Sequence, residues 1–84
     1  MAHARVTVFE VVAFELSTKK LETINIYEQR TLAEVLDDLR QIFCSQPGWI
    51  YPIIAHYSDG TKKAPCFVDE MGGIWKGTER IGQL

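Results

Sequence analysis

Residues 5–16 are apolar on both parities at once. Val6, Val8, Val12, Phe14 and Leu16 share one, and Phe9, Val11 and Ala13 share the other. A strand with two apolar sides belongs in the middle of a sheet, or needs cover on its second face. Residues 17–20, Ser-Thr-Lys-Lys, form a polar connection, and in 21–27 Ile24 and Ile26 alternate with polar residues. The two segments predict an antiparallel hairpin with a loop of four to five residues.

After Thr31 the period changes. Leu32, Val35, Leu36, Leu39, Ile42 and Phe43 fall at i, i+3, i+4, i+7, i+10 and i+11, one continuous helical stripe. Thr31 is placed to cap this helix, and Glu34 three residues on completes a capping box. Glu34, Asp37, Asp38, Arg40 and Gln41 take the opposite side, a solvated face rather than an acid/base pair. Acids in the early and middle turns and Arg40 near the end also suit the helix dipole. Ser45-Gln46-Pro47-Gly48 stops the helix.

The run 49–57, WIYPIIAHY, is apolar and aromatic. Pro52 donates no ladder hydrogen bond, which predicts an edge strand or a bulge there. Asp59-Gly60 marks a tight turn. A return strand through 64–68 carries a second proline, Pro65. Gly72-Gly73 breaks it, Ile74-Trp75-Lys76 makes a last short strand, and the tail from Thr78 has too little pattern to assign. Strand, strand, helix, strand, strand and a further strand describe one α+β domain over 1–84, with 1–4 and 79–84 frayed. The helix packs on one face of a mostly antiparallel or mixed sheet. In element order this resembles the β-grasp, the fold of ubiquitin-like proteins. The resemblance concerns fold alone, since fold does not carry function.

Composition and charge narrow the functional classes. The 84 residues are 46% hydrophobic and 24% charged, as in an ordinary globular domain. Net charge is −2 and the pI is about 5.6. Residues 1–42 hold five Lys/Arg against seven Asp/Glu, and 43–84 hold four against four. Nucleic-acid domains usually carry a basic stripe, and none is visible here. No segment reaches the roughly 20 apolar residues that span a bilayer. Two cysteines make no disulfide framework, and no signal peptide is apparent, so a reducing, cytoplasmic setting is expected. Both Cys44 and Cys66 are expected to be buried free thiols.

Three groups of residues invite a chemical reading. Gly72-Gly73-Ile74-Trp75-Lys76-Gly77-Thr78 has the glycine separation of a phosphate-binding loop, but its lysine precedes the second glycine and no helix follows. Gly-Gly at Gly73 invites comparison with ubiquitin-like modifiers and sulfur carriers, whose tails end so. Processing after Gly73 would then have to remove Ile74 and Trp75, and a tight turn is the simpler account. A thiol enzyme would need Cys44 or Cys66 beside His56, and no signature flanks either cysteine. The cysteines lack metal-ligand spacing, His3 lies in the terminal segment, His56 is a strand histidine and Asp59 is a turn residue. No catalytic, cofactor or metal site is expected. What remains is an aromatic and basic cluster: Trp49, Tyr51, Tyr57, Lys62, Lys63, Trp75, Lys76 and Arg80. Trp, Tyr and Arg anchor protein interfaces, and interleaved aromatics and cations also bind single strands of nucleic acid. The acidic pI ranks a protein partner above nucleic acid. The expectation is a non-catalytic adaptor that binds protein, including a second copy of itself in a homodimer.

Overall fold

The computed structural model describes residues 4–44 and 46–84. His3 and the other residues before Ala4 lie outside the described residues, as does Ser45. Strands β1 (Val6–Glu15) and β2 (Leu21–Glu28) precede helix α1 (Leu32–Ile42). Strands β3 (Trp49–Tyr57), β4 (Lys62–Val68), β5 (Gly73–Lys76) and β6 (Glu79–Gln83) follow. They form one sheet in the order β2-β1-β3-β4-β5-β6, antiparallel throughout. The likeness to the β-grasp is thus one of element order, with a wholly antiparallel sheet beneath it.

The expected hairpin forms, with residues 16–20 as its loop. The helix begins as its pattern requires. Thr31 Oγ1 accepts from the Glu34 amide at 3.1 Å, and Glu34 Oε1 accepts from the Thr31 amide at 3.0 Å. Val35 and Leu39 are buried, and Leu32, Leu36 and Phe43 pack against the same core. Ile42, read as part of that stripe, is 57% exposed. It stands in the last turn, beyond the layer that closes the core. Asp38 departs from a purely solvated face, because its Oδ2 accepts from the Tyr27 hydroxyl at 2.6 Å. Burial, and then this bond to a carboxylate, push the Tyr27 phenol up.

Beneath the helix run the rows Tyr27–Phe9–Ala55–Lys63 and Asn25–Val11–Ile53–Cys66. Tyr51, Val68 and Ile74 extend this side towards β5. The alternate rows point to the opposite, outer face of the sheet.

Three details correct the sequence expectations. Pro52 lies in β3, a central strand with partners on both sides, and the register with β4 shifts one residue later, between Ile53 and Ala55. That shift places Ala64 and Pro65 together opposite Ile54, so the proline without a donor falls in a bulge. Ile24 and Ile26 do not share a face. A bulge opposite Val11/Val12 sends Ile24 to the helix side, beside Leu39 and Ile42, and leaves Ile26 outside, beside Val8 and Glu10. The tail expected to fray is β6, paired with β5, with Leu84 packed against the core.

Candidate functional site

The outer face of the sheet is built by the side chains that alternate away from α1. Row by row it reads Leu21–Phe14–Ile50, then Thr23–Val12–Pro52–Phe67–Trp75–Arg80, then Ile26–Glu10–Ile54, then Glu28–Val8–His56–Lys62. Ten of these are apolar: Val8, Val12, Phe14, Leu21, Ile26, Ile50, Pro52, Ile54, Phe67 and Trp75. Val12 is 0% exposed although it faces away from α1, because neighbouring side chains close around it. Leu21 and Ile26 remain well exposed, and the others are half-buried.

One polar group interrupts this surface. His56 Nε2 lies 2.8 Å from Glu10 Oε1, and the Thr23 hydroxyl donates to Glu10 Oε2. Those two hydrogen bonds, Thr23 first, hold the Glu10 carboxyl below the usual range, with the charges of His56 and Lys62 acting the same way. At the β5 end, Trp75 stacks on Phe67 with ring centroids 6.5 Å apart and planes 10° from parallel. Its indole N–H donates to Asp69 Oδ2 at 2.6 Å.

Asp69 explains the glycine stretch. Its Oδ1 accepts from the Met71 amide at 2.9 Å and from the Gly73 amide at 2.8 Å. The anion that these backbone N–H groups face is the chain's own carboxylate. Partial burial raises the Asp69 carboxyl, but the bonds from Trp75, Gly73 and Met71 and the charge of Arg80 outweigh it, so it stays below the usual range. A Cβ at Gly73 would come within 2.6 Å of Asp69 Oδ2, which requires glycine there. Gly72 has φ +84, a conformation natural to glycine in a turn. Ile74, directly after the pair, is buried in the core.

The other side of the sheet has a feature of its own. A cleft of about 410 Å³ opens beyond the last turn of α1, lined by Ala13, Leu39, Ile42, Phe43, Trp49, Tyr51 and Val68, with Glu22, Ile24, Cys44, Gln46 and Leu84 around them. Its origin is geometric. An 11-residue helix is about 17 Å long whereas β1, with 10 residues, runs about 33 Å, so the helix cannot cover the whole strand. Where cover ends, β1 presents only the small Ala13. Phe43 and Tyr51 meet edge to face, centroids 5.6 Å apart. Burial, and then the nearby Cys44, push the Tyr51 phenol up.

The eight residues read as one aromatic and basic cluster divide between these regions. Trp49 and Tyr51 line the cleft. Tyr57 is also on the helix side, with the Lys63 ammonium 5.8 Å from its ring centre. Trp75, Lys62 and Arg80 take the outer face. Lys76 is exposed at the end of β5, opposite Glu79. Adjacent in sequence, they do not make one surface. The outer apolar rows were visible as strand parity, but Glu10 and Asp69 carried no signal that singles them out from turn and surface acids.

The cysteines are similarly placed apart. Cys66 is buried on the helix side, where burial pushes its thiol up, and His56 is on the outer side. Cys44, expected to be buried, is exposed because the helix ends before it. Among the described residues no group of three or more His, Cys, Asp or Glu is arranged to hold a metal ion. No helix among them is long and apolar enough to cross a membrane. Comparison with protein families, characterised proteins and solved structures finds no match to this chain.

Proposed function

We propose that this protein is a binding module that self-associates through the outer face of its sheet, as a two-fold dimer. The observation that carries the reading is the set of ten apolar side chains in adjacent rows on the face opposite α1. The long and middle dimensions of the molecule, 44 and 26 Å, bound a face on the order of 1,000 Å², enough for the roughly 800 Å² per partner of a stable interface. Charge on this face is of both signs. Glu10, Glu28 and Asp69 stand with Lys62 and Arg80, and Glu10 is already hydrogen-bonded to His56 and Thr23 within the chain. An identical copy therefore meets little like-charge repulsion, and a C2 contact is the commonest arrangement for such a face.

Sedimentation velocity between about 1 and about 100 μM tests the proposal. A particle of twice 9.6 kDa is expected, reverting to 9.6 kDa in Ile26→Lys. Ile26 is 56% exposed in the monomer, so this variant keeps its fold, which circular dichroism checks. A wild-type monomer throughout the range overturns the proposal, as does a dimer that survives both Ile26→Lys and Ile54→Lys.

A further inference from the structure

The cleft beyond α1 is independent of the outer face, because the sheet itself separates them. We propose that it binds a small apolar amine, an aromatic or aliphatic body ending in an ammonium group. Its volume of about 410 Å³ falls within the roughly 300–1,000 Å³ of small-molecule sites. Its walls supply what an apolar body needs. Leu39 and Val68 form an aliphatic floor, and Phe43, Tyr51 and Trp49 contribute aromatic rings.

Charge then selects the class of ligand. Among the described residues, Glu22 is the one acidic side chain on the lining, and no lysine, arginine or histidine joins it. A ligand carboxylate would meet repulsion from Glu22 and find no cation to pair with. An ammonium finds Glu22 at the sheet edge, on a lining that also carries the rings of Phe43, Trp49 and Tyr51. Both effects point the same way, so the cleft discriminates by sign of charge while its walls accept the apolar body.

Three probes that share one body separate these contributions: phenylbutylamine, phenylbutanol and phenylbutyrate. Each is titrated into the whole protein, and the methyl resonances of Leu39 and Val68 report occupancy of the cleft. The expected order is amine, then alcohol, then carboxylate. Attraction and repulsion at one exposed charge together give the amine an advantage of roughly five- to thirtyfold over the carboxylate. That advantage shrinks as salt is raised. Glu22→Gln, at an exposed edge position that leaves the core intact, brings the amine close to the alcohol. Ile26→Lys, on the other face, leaves all three affinities unchanged, so the outcome is distinct from that of the dimer test. No methyl shift with the amine overturns the proposal, as does equal binding of the carboxylate or a preference that survives Glu22→Gln.

Discussion

Ile53 and Ile54 are neighbours in β3, identical in chemistry, and point to opposite sides of the sheet. Ile53 faces α1 and is fully buried among Val11, Val35, Cys66 and Val68. Ile54 faces outward in a row with Glu10 and Ile26 and keeps part of its surface in water. The two faces hold comparable amounts of apolar side chain, and one helix can cover only one of them. A chain of 84 residues thus completes a single core and leaves its second apolar layer dependent on what meets it. The closed core lies on the helix side, and the proposed association would use the outer side.

The sharpest way to break this comparison is to truncate the two isoleucines separately. Ile53→Ala removes a fully buried side chain from the core and is expected to cost about 2–5 kcal/mol of folding stability. Ile54→Ala should cost the dilute monomer about 1 kcal/mol or less, since less surface is buried there. Urea denaturation at low protein concentration measures both. Raising the concentration should then widen the effect of Ile54→Ala, through lost dimer, and leave that of Ile53→Ala unchanged. Equal costs in the dilute monomer would mean that the outer face is as well covered as the inner one.

How far this arrangement is legible in the sequence follows from the same two faces. Double parity in β1 shows that both sides of the sheet are apolar, and the 3.6-residue stripe with its capping box shows that one helix covers one of them. The bulges are not legible. Nothing in Thr23-Ile24-Asn25-Ile26 announces the extra residue that separates the two isoleucines, because a bulge is set by the partner strand's register. Strand β6 is missed for another reason. Its only large apolar residue, Ile81, is exposed, so pairing with β5 rather than burial orders it. The aromatic and basic cluster dissolves because proximity in sequence says nothing of face when alternate strand residues point opposite ways. The cleft is illegible too, since it arises from a mismatch between helix and strand lengths.

A smaller effect probes what fixes the β5 end of the outer face. Asp69 holds three donors, the Met71 and Gly73 amides and the Trp75 indole. Asp69→Ala leaves them without their acceptor and is expected to cost about 1–3 kcal/mol. Trp75 would lose its tether and its fixed stacking on Phe67. In Asp69→Asn one oxygen remains for the amides while the Trp75 N–H meets an amide nitrogen, so the loss is intermediate. Urea denaturation ranks the three proteins, and the Trp75 indole N–H resonance should move upfield in both variants as its hydrogen bond is lost. An unchanged resonance in Asp69→Ala would separate Trp75 from Asp69 and leave the ring's position to packing alone.

The smallest effect concerns the hydrogen-bonded pair Glu10 and His56 in the middle of the outer face. Glu10 is held below the usual carboxylate range by Thr23 and His56, so its folded form binds a proton less readily than its unfolded form. Stability from Glu10 is therefore fully present above the unfolded carboxyl value of about 4.5, and it drains away as pH falls through the folded value. Glu10→Gln keeps the shape but removes the titration. Its stability should lie about 0.5–1 kcal/mol below wild type at pH 7 and converge on wild type in acid. The difference between the two curves isolates Glu10 from Asp69, which titrates in both proteins. A double-mutant cycle with His56→Gln then divides the loss between His56 and Thr23, and a vanishing coupling would assign it to Thr23. Because the pair sits within the proposed contact, the same pH scan by sedimentation asks whether its loss loosens the dimer more than the fold. A greater loss in the dimer would make Glu10 and His56 part of the association surface, and an equal loss would confine them to the stability of a single sheet.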